Sequence, residues 1–312
     1  MDDELFWRHC QIRGLSAHTL RAMRPRPHSE LPSLDPGRLQ YWQRARQRYA
    51  LIRCIDPEYP SALLELDRPP KQLWLLGKPE LLHRSMTAIV GSRDASIHGR
   101  AIAELTASIA GDCIVSGGAR GIDQVAHQAA LPDTIAVMGG GLVHLFPPQC
   151  RSLLDQIAQT GLIISEQFPD VPPKGGLFPA RNRVIAALCH RLLVVEGHYQ
   201  SGSLITAQAA LELGREVWAV PGSPLSPLAQ GPNRLIRDGA HPFTEAADWQ
   251  APDTVLERPD DPFQDALGAN AHTPSELSCH LSIPLAQVMT RLMELKLAGK
   301  VAVRAGRYAW KF

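Results

Sequence analysis

Cys113-Ile-Val-Ser-Gly-Gly-Ala-Arg-Gly-Ile-Asp-Gln-Val-Ala-His-Gln-Ala-Ala130 is the stretch that decides the architecture. The opening run Cys113–Ser116 is short and continuously apolar, with no polar residue alternating onto a solvent face. A glycine-rich turn follows, then a helical pattern over 122–130. A strand covered on both faces and passed straight to a helix is the unit of a parallel sheet flanked by helices. The unit recurs outward in both directions. Apolar runs at Thr87–Val90, Thr134–Met138, Leu162–Ser165, Leu192–Val195 and Val217–Val220 alternate with helical patterns near 97–110, 149–160, 181–189 and 203–213. The repeat predicts a doubly wound, Rossmann-like α/β domain over 85–248.

The flanks read differently. Residues 1–48 carry short helical patterns, including Leu5, Phe6, Cys10 and Ile12, and are expected to form a small N-terminal helical domain. Arg24-Pro-Arg-Pro-His28 interrupts them, because proline lacks the amide donor and clashes with the preceding turn. Residues 49–84, with prolines at 57, 60, 69, 70 and 79, read as an extended lead-in ending in a short strand around Leu73–Leu76. Residues 249–264 read as a linker rich in Pro and Asp. Over 265–312, Thr273-Pro-Ser-Glu276 is a capping box with proline at the first helical position. A second helix with Val288, Leu292 and Leu295 on one face and a closing hairpin complete the pattern of a winged helix-turn-helix.

Composition sets the outer limits. The chain has 312 residues, 45% of them hydrophobic, and a net charge of +1, so any polyanion surface must be a local cluster of basic groups. The six cysteines are scattered without CxxC pairs, which gives neither a disulfide framework nor a zinc site, and no metal or cofactor is expected. The start Met1-Asp-Asp-Glu4 is acidic, unlike a signal or transit peptide, and no apolar run approaches the ~18 residues of a membrane helix. The expectation is a cytoplasmic protein with no membrane partner.

In a doubly wound sheet, ligands bind beyond the carboxyl ends of the strands. There the sequence places Gly91-Ser92-Arg93, then Ser116-Gly117-Gly118-Ala119-Arg120-Gly121, then Gly139–Gly141. A long loop ending Phe178-Pro-Ala-Arg181-Asn182-Arg183 follows, then Ser201-Gly202-Ser203. Glycines let backbone amides approach a phosphate, helix N-termini add unsatisfied N–H groups, and arginines add guanidinium forks. The P-loop lysine is missing, since Gly197-His-Tyr-Gln-Ser-Gly202-Ser203 has serine in its place. The dinucleotide pattern GxGxxG is absent as well. Arginines on several loops suit a chain of phosphates, Lys174 adds a further contact, and Phe178 offers a face on which an unpaired base stacks. The reading is a single-stranded nucleic acid in this trough. Asp123 and His127, one helical turn apart, are expected to cap the helix and support the loop rather than to act as an acid–base pair. Glu166 and Glu196 each follow a strand, but no nucleophile stands beside a base, so no catalytic residue is assigned.

These loops, in this order, closely resemble the DprA/Smf family of DNA-processing proteins. The likeness rests on Ala88-Ile-Val-Gly-Ser-Arg93, Ser116–Asp123 with Ala126-His127, Ser165-Glu166, Phe178-Pro-Ala-Arg-Asn-Arg183, Val195-Glu196, Ser201-Gly-Ser-Leu-Ile-Thr206, Gly214-Arg-Glu-Val217 and Val220-Pro-Gly222. It implies an extended Rossmann fold that binds and protects single-stranded DNA, forms homodimers, and loads the RecA recombinase during natural transformation. It also implies that the ends are a SAM-like domain and a winged helix. It assigns the strand to Arg93, Gly117–Gly121, Phe178, Arg181 and Asn182. Three departures stand out: the chain between Ala130 and Thr134 is shorter than usual, Gly118 replaces a commonly larger residue, and Phe146-Pro147 stands where Tyr-Pro is usual. Two readings compete, a Rossmann-type nucleotide-processing enzyme and a winged-helix transcription regulator. The first lacks the GGxGTxxE continuation after Val220-Pro-Gly-Ser223, and the second has only Arg291 among Gln287, Thr290 and Glu294 on its exposed helix.

Overall fold

The computed structural model describes residues 16–22, 36–250, 263, 266–267, 272–297, 301–304 and 307–310. The expected helix around Leu5–Ile12, the break at 24–28 and most of the linker lie outside them. The chain divides into two compact units, up to Gln250 and from Ala251 onward.

In chain order the first unit has helices α1 (Ala17–Ala22) and α2 (Pro36–Arg48), then strands β1 (Ala50–Arg53), β2 (Gln72–Gly77) and β3 (Met86–Val90). Next come α3 (Ile97–Ile109), β4 (Cys113–Ser116), α4 (Ile122–Ala130), β5 (Thr134–Met138), α5 (Arg151–Thr160) and β6 (Leu162–Ser165). It closes with α6 (Leu177–Leu188), β7 (Arg191–Val194), α7 (Gly202–Glu212), β8 (Glu216–Ala219), α8 (Gln230–Arg237), β9 (His241–Pro242) and α9 (Ala246–Gln250). The strands form one sheet in the order β1-β2-β6-β5-β4-β3-β7-β8-β9. From β6 through β9 every pairing is parallel, whereas β2 runs antiparallel to both β6 and β1.

The antiparallel edge corrects the sequence reading in one respect. The short strand expected around Leu73–Leu76 is β2, and the lead-in adds a second strand, β1, that the sequence reading did not have. β1 is only four residues long, with no periodicity to announce it among the neighbouring prolines.

Alternate residues of each central strand feed opposite faces, as a period of two requires. Ala88, Val90, Val115, Leu192 and Val194 join Leu154 and Ile157 of α5, Val184 and Ile185 of α6 and Ala207 of α7. Ile89, Ile114, Leu193 and Val195 join Ala103 and Ala107 of α3, Ile122 and Ala126 of α4, and Trp249 of α9. The result is helices on both faces of a buried, mostly parallel sheet. Ala17, Leu20, Trp42 and Ala45 of α1 and α2 belong to the first of these cores rather than to one of their own. Trp42 stacks on Phe168 at 4.8 Å and 9°, which fixes α2 over the segment after β6. Trp249 lies under the Arg191 guanidinium at 4.3 Å and meets Phe243 edge-on, closing the other layer.

The chain lays down β3, β4, β5 and β6 in one direction, then returns to place β7 on the far side of β3. The switch point between β3 and β7 is where crevices open in such sheets.

The second unit holds α10 (Pro274–Leu281), α11 (Leu285–Leu297) and the antiparallel pair β10 (Val301–Arg304) and β11 (Arg307–Trp310). Thr273 Oγ accepts from the Glu276 amide while the Glu276 carboxylate accepts from the Thr273 amide, a complete capping box. Leu277, Val288, Leu292, Leu295 and Val301 form a separate core. Leu292→Ala is expected to cost this unit about 2–5 kcal/mol. Hydrogen exchange of the 274–297 amides should accelerate accordingly, with the amides of β3 to β8 unaffected.

Candidate functional site

A cavity of about 650 Å³ opens at the switch point. Gly91–Asp94 after β3 form one wall, Ser201–Ser203 and Thr206 of α7 the other, and Phe178, Arg181 and Asn182 of α6 the floor. A smaller cavity of about 250 Å³ adjoins it and shares Arg93, Ala119, Phe146, Phe178 and Arg181 with the first.

The expected loop ending at Arg183 is instead the start of α6, which begins at Leu177, so Phe178 and all three following polar residues are helical. Pro179 hid this start, although proline is tolerated in a first turn because its missing N–H would have no partner there. The correction decides which arginine faces the site. Residues 181 and 183 are separated by about 200° around a helix. Arg181 therefore lines the cavity, while Arg183 turns away and pairs with Glu166 at 2.6 Å beside a different cavity. Lys174 lines neither cavity of the site.

The glycine-rich turn also differs from expectation. The amides of Gly117, Gly118 and Ala119 are taken up within the protein. Asp123 Oδ2 accepts from the Gly117 N–H at 3.2 Å and the Ala119 N–H at 3.4 Å, and His127 Nε2 accepts from the Gly118 N–H at 3.2 Å. Asp123 thus supports the loop rather than capping α4, whose N-cap is Gly121. Ser116 is fully buried and donates to the Ile89 carbonyl.

Two glycines are required here. Gly121 sits at φ +84°, where an added Cβ would strike the Ser92 carbonyl. At Gly117 a Cβ would stand 2.5 Å and 2.7 Å from the terminal nitrogens of Arg181 and 2.7 Å from Asp123 Oδ2. The guanidinium and the carboxyl thus close around a bare backbone. Arg181 Nη1 donates to the carbonyls of Gly117 and Val137, and Nε to Asn182 Oδ1. Asn182 Nδ2 donates onward to the Gly202 carbonyl at 3.1 Å, which ties α6 to the start of α7. Burial lowers the Arg181 pKa to about 10 against the opposing pull of Asp123, with Arg93 adding to the fall, so the group stays charged at neutral pH. Burial raises the Asp123 carboxyl above its ordinary value against the pull of Arg181 and the loop amides.

Arg93 is exposed, with its guanidinium 5.9 Å from the centre of the Phe178 ring, and it makes no ion pair among the described residues. Phe178 is half-buried, touching Phe146 at 5.8 Å. Arg120 is exposed and pairs with Asp94 at 2.9 Å. Ser201 caps α7, accepting from the Ser203 N–H, so the helix N-terminus faces the cavity.

Glu196 lines neither cavity. It accepts from the Ser96 N–H at 2.9 Å and the Ser96 hydroxyl at 2.5 Å, and Ser96 in turn caps α3. An added Cβ at Gly99 would collide with this carboxylate. Glu196 therefore ties the segment after β7 to the segment after β3 across the switch point. Phe146 went unassigned in the sequence; its one signal was the departure from Tyr at that position.

A cleft at the switch point of a mostly parallel sheet, lined by Arg93 and Arg181, an aromatic pair and a helix N-terminus, places the chain among α/β proteins with a doubly wound sheet. The model of the DNA recombination-mediator protein A family matches residues 50–251, and the chain belongs to that family. It is 38% identical to protein Smf of Escherichia coli over 285 residues, 83% of this chain and 76% of that one. It is 40% identical to DNA processing protein DprA of Streptococcus pneumoniae over 207 residues, 65% of this chain and 73% of that one. The solved structure of the pneumococcal protein superposes with a TM-score of 0.66 at 39% identity, covering 70% of this chain and 78% of that one. DNA processing protein A of Helicobacter pylori, solved for insight into its single-stranded DNA binding mode, superposes at 0.62 with 30% identity, covering 68% and 97%.

The His127 network generates a pH prediction. Nε2 accepts from Gly118, so Nδ1 carries the proton and donates to Thr134 Oγ1 at 2.7 Å, which donates to the Ile114 carbonyl. Burial, with Arg181 nearby, lowers the His127 pKa from 6.5 to about 3. Below pH 6.5 the unfolded chain therefore binds a proton that the native ring refuses, and stability falls as pH falls. Between pH 6.5 and 5 the wild type should lose about 2 kcal/mol relative to His127→Gln, read from urea unfolding at each pH.

Proposed function

We propose that this protein binds single-stranded DNA along the cleft between β3 and β7 and acts as a recombination mediator without catalysing a reaction on the strand. The observation that carries the reading is Arg93: an exposed guanidinium with no carboxylate partner among the described residues, over an aromatic ring at the mouth of the cleft. A phosphate meeting Arg93 breaks no ion pair, and the N-terminus of α7 adds N–H groups and a favourable dipole opposite it. Phe178 supplies the stacking face that unpaired bases use. The Helicobacter relative, named for its single-stranded DNA binding mode, and the family's description as a recombination mediator support the same reading.

The rest of the proposal follows the family likeness. The protein protects the incoming strand and loads the RecA recombinase in natural transformation, working as a cytoplasmic homodimer. Helices α1 and α2 are SAM-like elements that pack on the main core instead of forming a separate domain, and α10, α11 and the β10–β11 hairpin are a winged helix-turn-helix. No helix among the described residues is long and apolar enough to cross a membrane.

Fluorescence anisotropy with an oligo-dT strand and its duplex, at several salt concentrations, tests the reading. The single strand should bind more tightly than the duplex and weaken as salt rises. Arg93→Ala should lose about tenfold in affinity at physiological salt and flatten the log–log salt slope by about 0.7. Arg183→Ala, whose side chain faces away, should retain wild-type affinity. Equal losses in the two variants, or no preference for the single strand, would refute it.

A further inference from the structure

We propose that α2 is a second contact for the bound strand, holding phosphates that lie outside the cleft on its exposed arginine face. This rests on the strand-binding reading above and adds an interaction surface to it. α2 carries Arg38, Arg44, Arg46 and Arg48 in its 13 residues and no acid. Trp42, Ala45 and the following Tyr49 turn its apolar side into the main core, with Trp42 stacked on Phe168. At about 100° per residue, Gln40, Gln43, Arg44, Gln47 and Arg48 fall on the other side, and all are exposed.

Charge on this face is arranged unlike that on α5 and α8. There an arginine is matched one turn on by an acid, Arg151 by Asp155 and Arg234 by Asp238. On α2 the residue one turn after Arg44 is Arg48, and neither makes an ion pair among the described residues. Arg48 instead lies 5.5 Å from the centre of the Tyr49 ring. Like charges at this spacing weaken a helix. The helix dipole favours Arg46 and Arg48, which stand in the last turn, but gains nothing from Arg44. A polyanion relieves the repulsion. Its phosphate oxygens accept from both guanidinium groups and from the glutamine amides, with no carboxylate on the helix to displace.

The footing of the helix selects the ligand. Phe168 follows β6, which runs parallel to β5, β4 and β3, so Phe168 and Arg93 stand on one rim of the sheet. Three strand spacings, about 14 Å, separate β6 from β3. The segment after β6 also pairs with the turn after β5: the Gly141 N–H donates to the Val171 carbonyl and the Val143 N–H to the Pro169 carbonyl. That turn continues to Phe146 at the cleft. Arg93 after β3, Arg120 after β4 and the arginines of α2 thus follow one another along the rim, and a strand leaving the cleft in this direction meets α2. The exposed face has no aromatic or apolar side chain, so it holds the backbone rather than the bases and reads no sequence.

The test compares oligo-dT of about six nucleotides, which the cleft alone can hold, with oligo-dT of about twenty, using the full chain. The paired variant Arg44→Gln, Arg48→Gln should bind the short strand as the wild type does and the long strand about tenfold more weakly at physiological salt. Its log–log salt slope on the long strand should flatten by about 1.4, as the loss of two phosphate contacts requires, with no change on the short one. Arg44→Lys with Arg48→Lys, which keeps the charge, should recover most of the long-strand affinity. Equal weakening on both lengths, or none on the long strand, would overturn the α2 contact and leave the cleft reading in place. Failure of the wild type to bind either strand would instead remove the parent reading and this contact with it. Should the glutamine pair lower the melting temperature, Gln47→Glu, which sets a carboxylate among the arginines and leaves both in place, carries the same comparison.

Discussion

The site depends on one buried couple. The Asp123 carboxyl and the Arg181 guanidinium converge on the space where a side chain at Gly117 would be, with no Cβ between them. Asp123 gathers the amides of Gly117 and Ala119, while Arg181 reaches the carbonyls of Gly117 and Val137. One pair thus pins the turn after β4, the end of β5 and the first turns of α6 to each other. Both groups are buried and hydrogen-bonded to the backbone of this turn, and removing either leaves those backbone groups unsatisfied at about 1–3 kcal/mol, so the couple holds the wall of the cleft in one arrangement. The neutral His127 beside it completes the fixation through Gly118 and Thr134.

Rigidity on one side of the cleft is matched by a tie across it. Glu196 leaves the end of β7 and grips the N-cap of α3, which follows β3. A switch point is by construction the place where neighbouring strands send their helices to opposite faces, and it would gape without such a bridge. Asn182 makes the third link, from α6 to the carbonyl at the start of α7. Polar residues that a sequence search offers as general bases or ligands serve here as fasteners. The fastening leaves Arg93, Phe178 and the α7 N-terminus presented in fixed relation.

The central strands and their helices were legible because continuous apolar runs and glycine turns are properties of single segments. The six runs read from the sequence fall within one residue of β3 to β8 at either end. What escaped depends on relations between segments. β1 is a strand because β2 pairs with it, not because of its own four residues. The amides of Gly117–Ala119 looked available until Asp123 and His127, in the helix that follows, proved to take them. Arg181 and Arg183 were equivalent in a loop and became opposites once α6 began at Leu177. Phe146 was visible only as a departure from a pattern, because nothing local says that its ring leans on Phe178.

Charge pairing explains how a chain of net charge +1 keeps one arginine unmatched at the cleft. Among the arginines near the strand ends, Arg183 is matched by Glu166, Arg120 by Asp94, and Arg181 by Asp123 in the interior. Carboxylates thus stand beside three of these arginines, leaving Arg93 without an ion pair among the described residues. A phosphate gains Arg93 without displacing a carboxylate. At Arg120 it competes with Asp94, an exposed pair whose mutual attraction is weak in water. Within the cleft, attraction for a polyanion is thus concentrated at one residue, with a second released by modest competition. On the proposed reading, that arrangement gives local affinity for a strand without a global positive field.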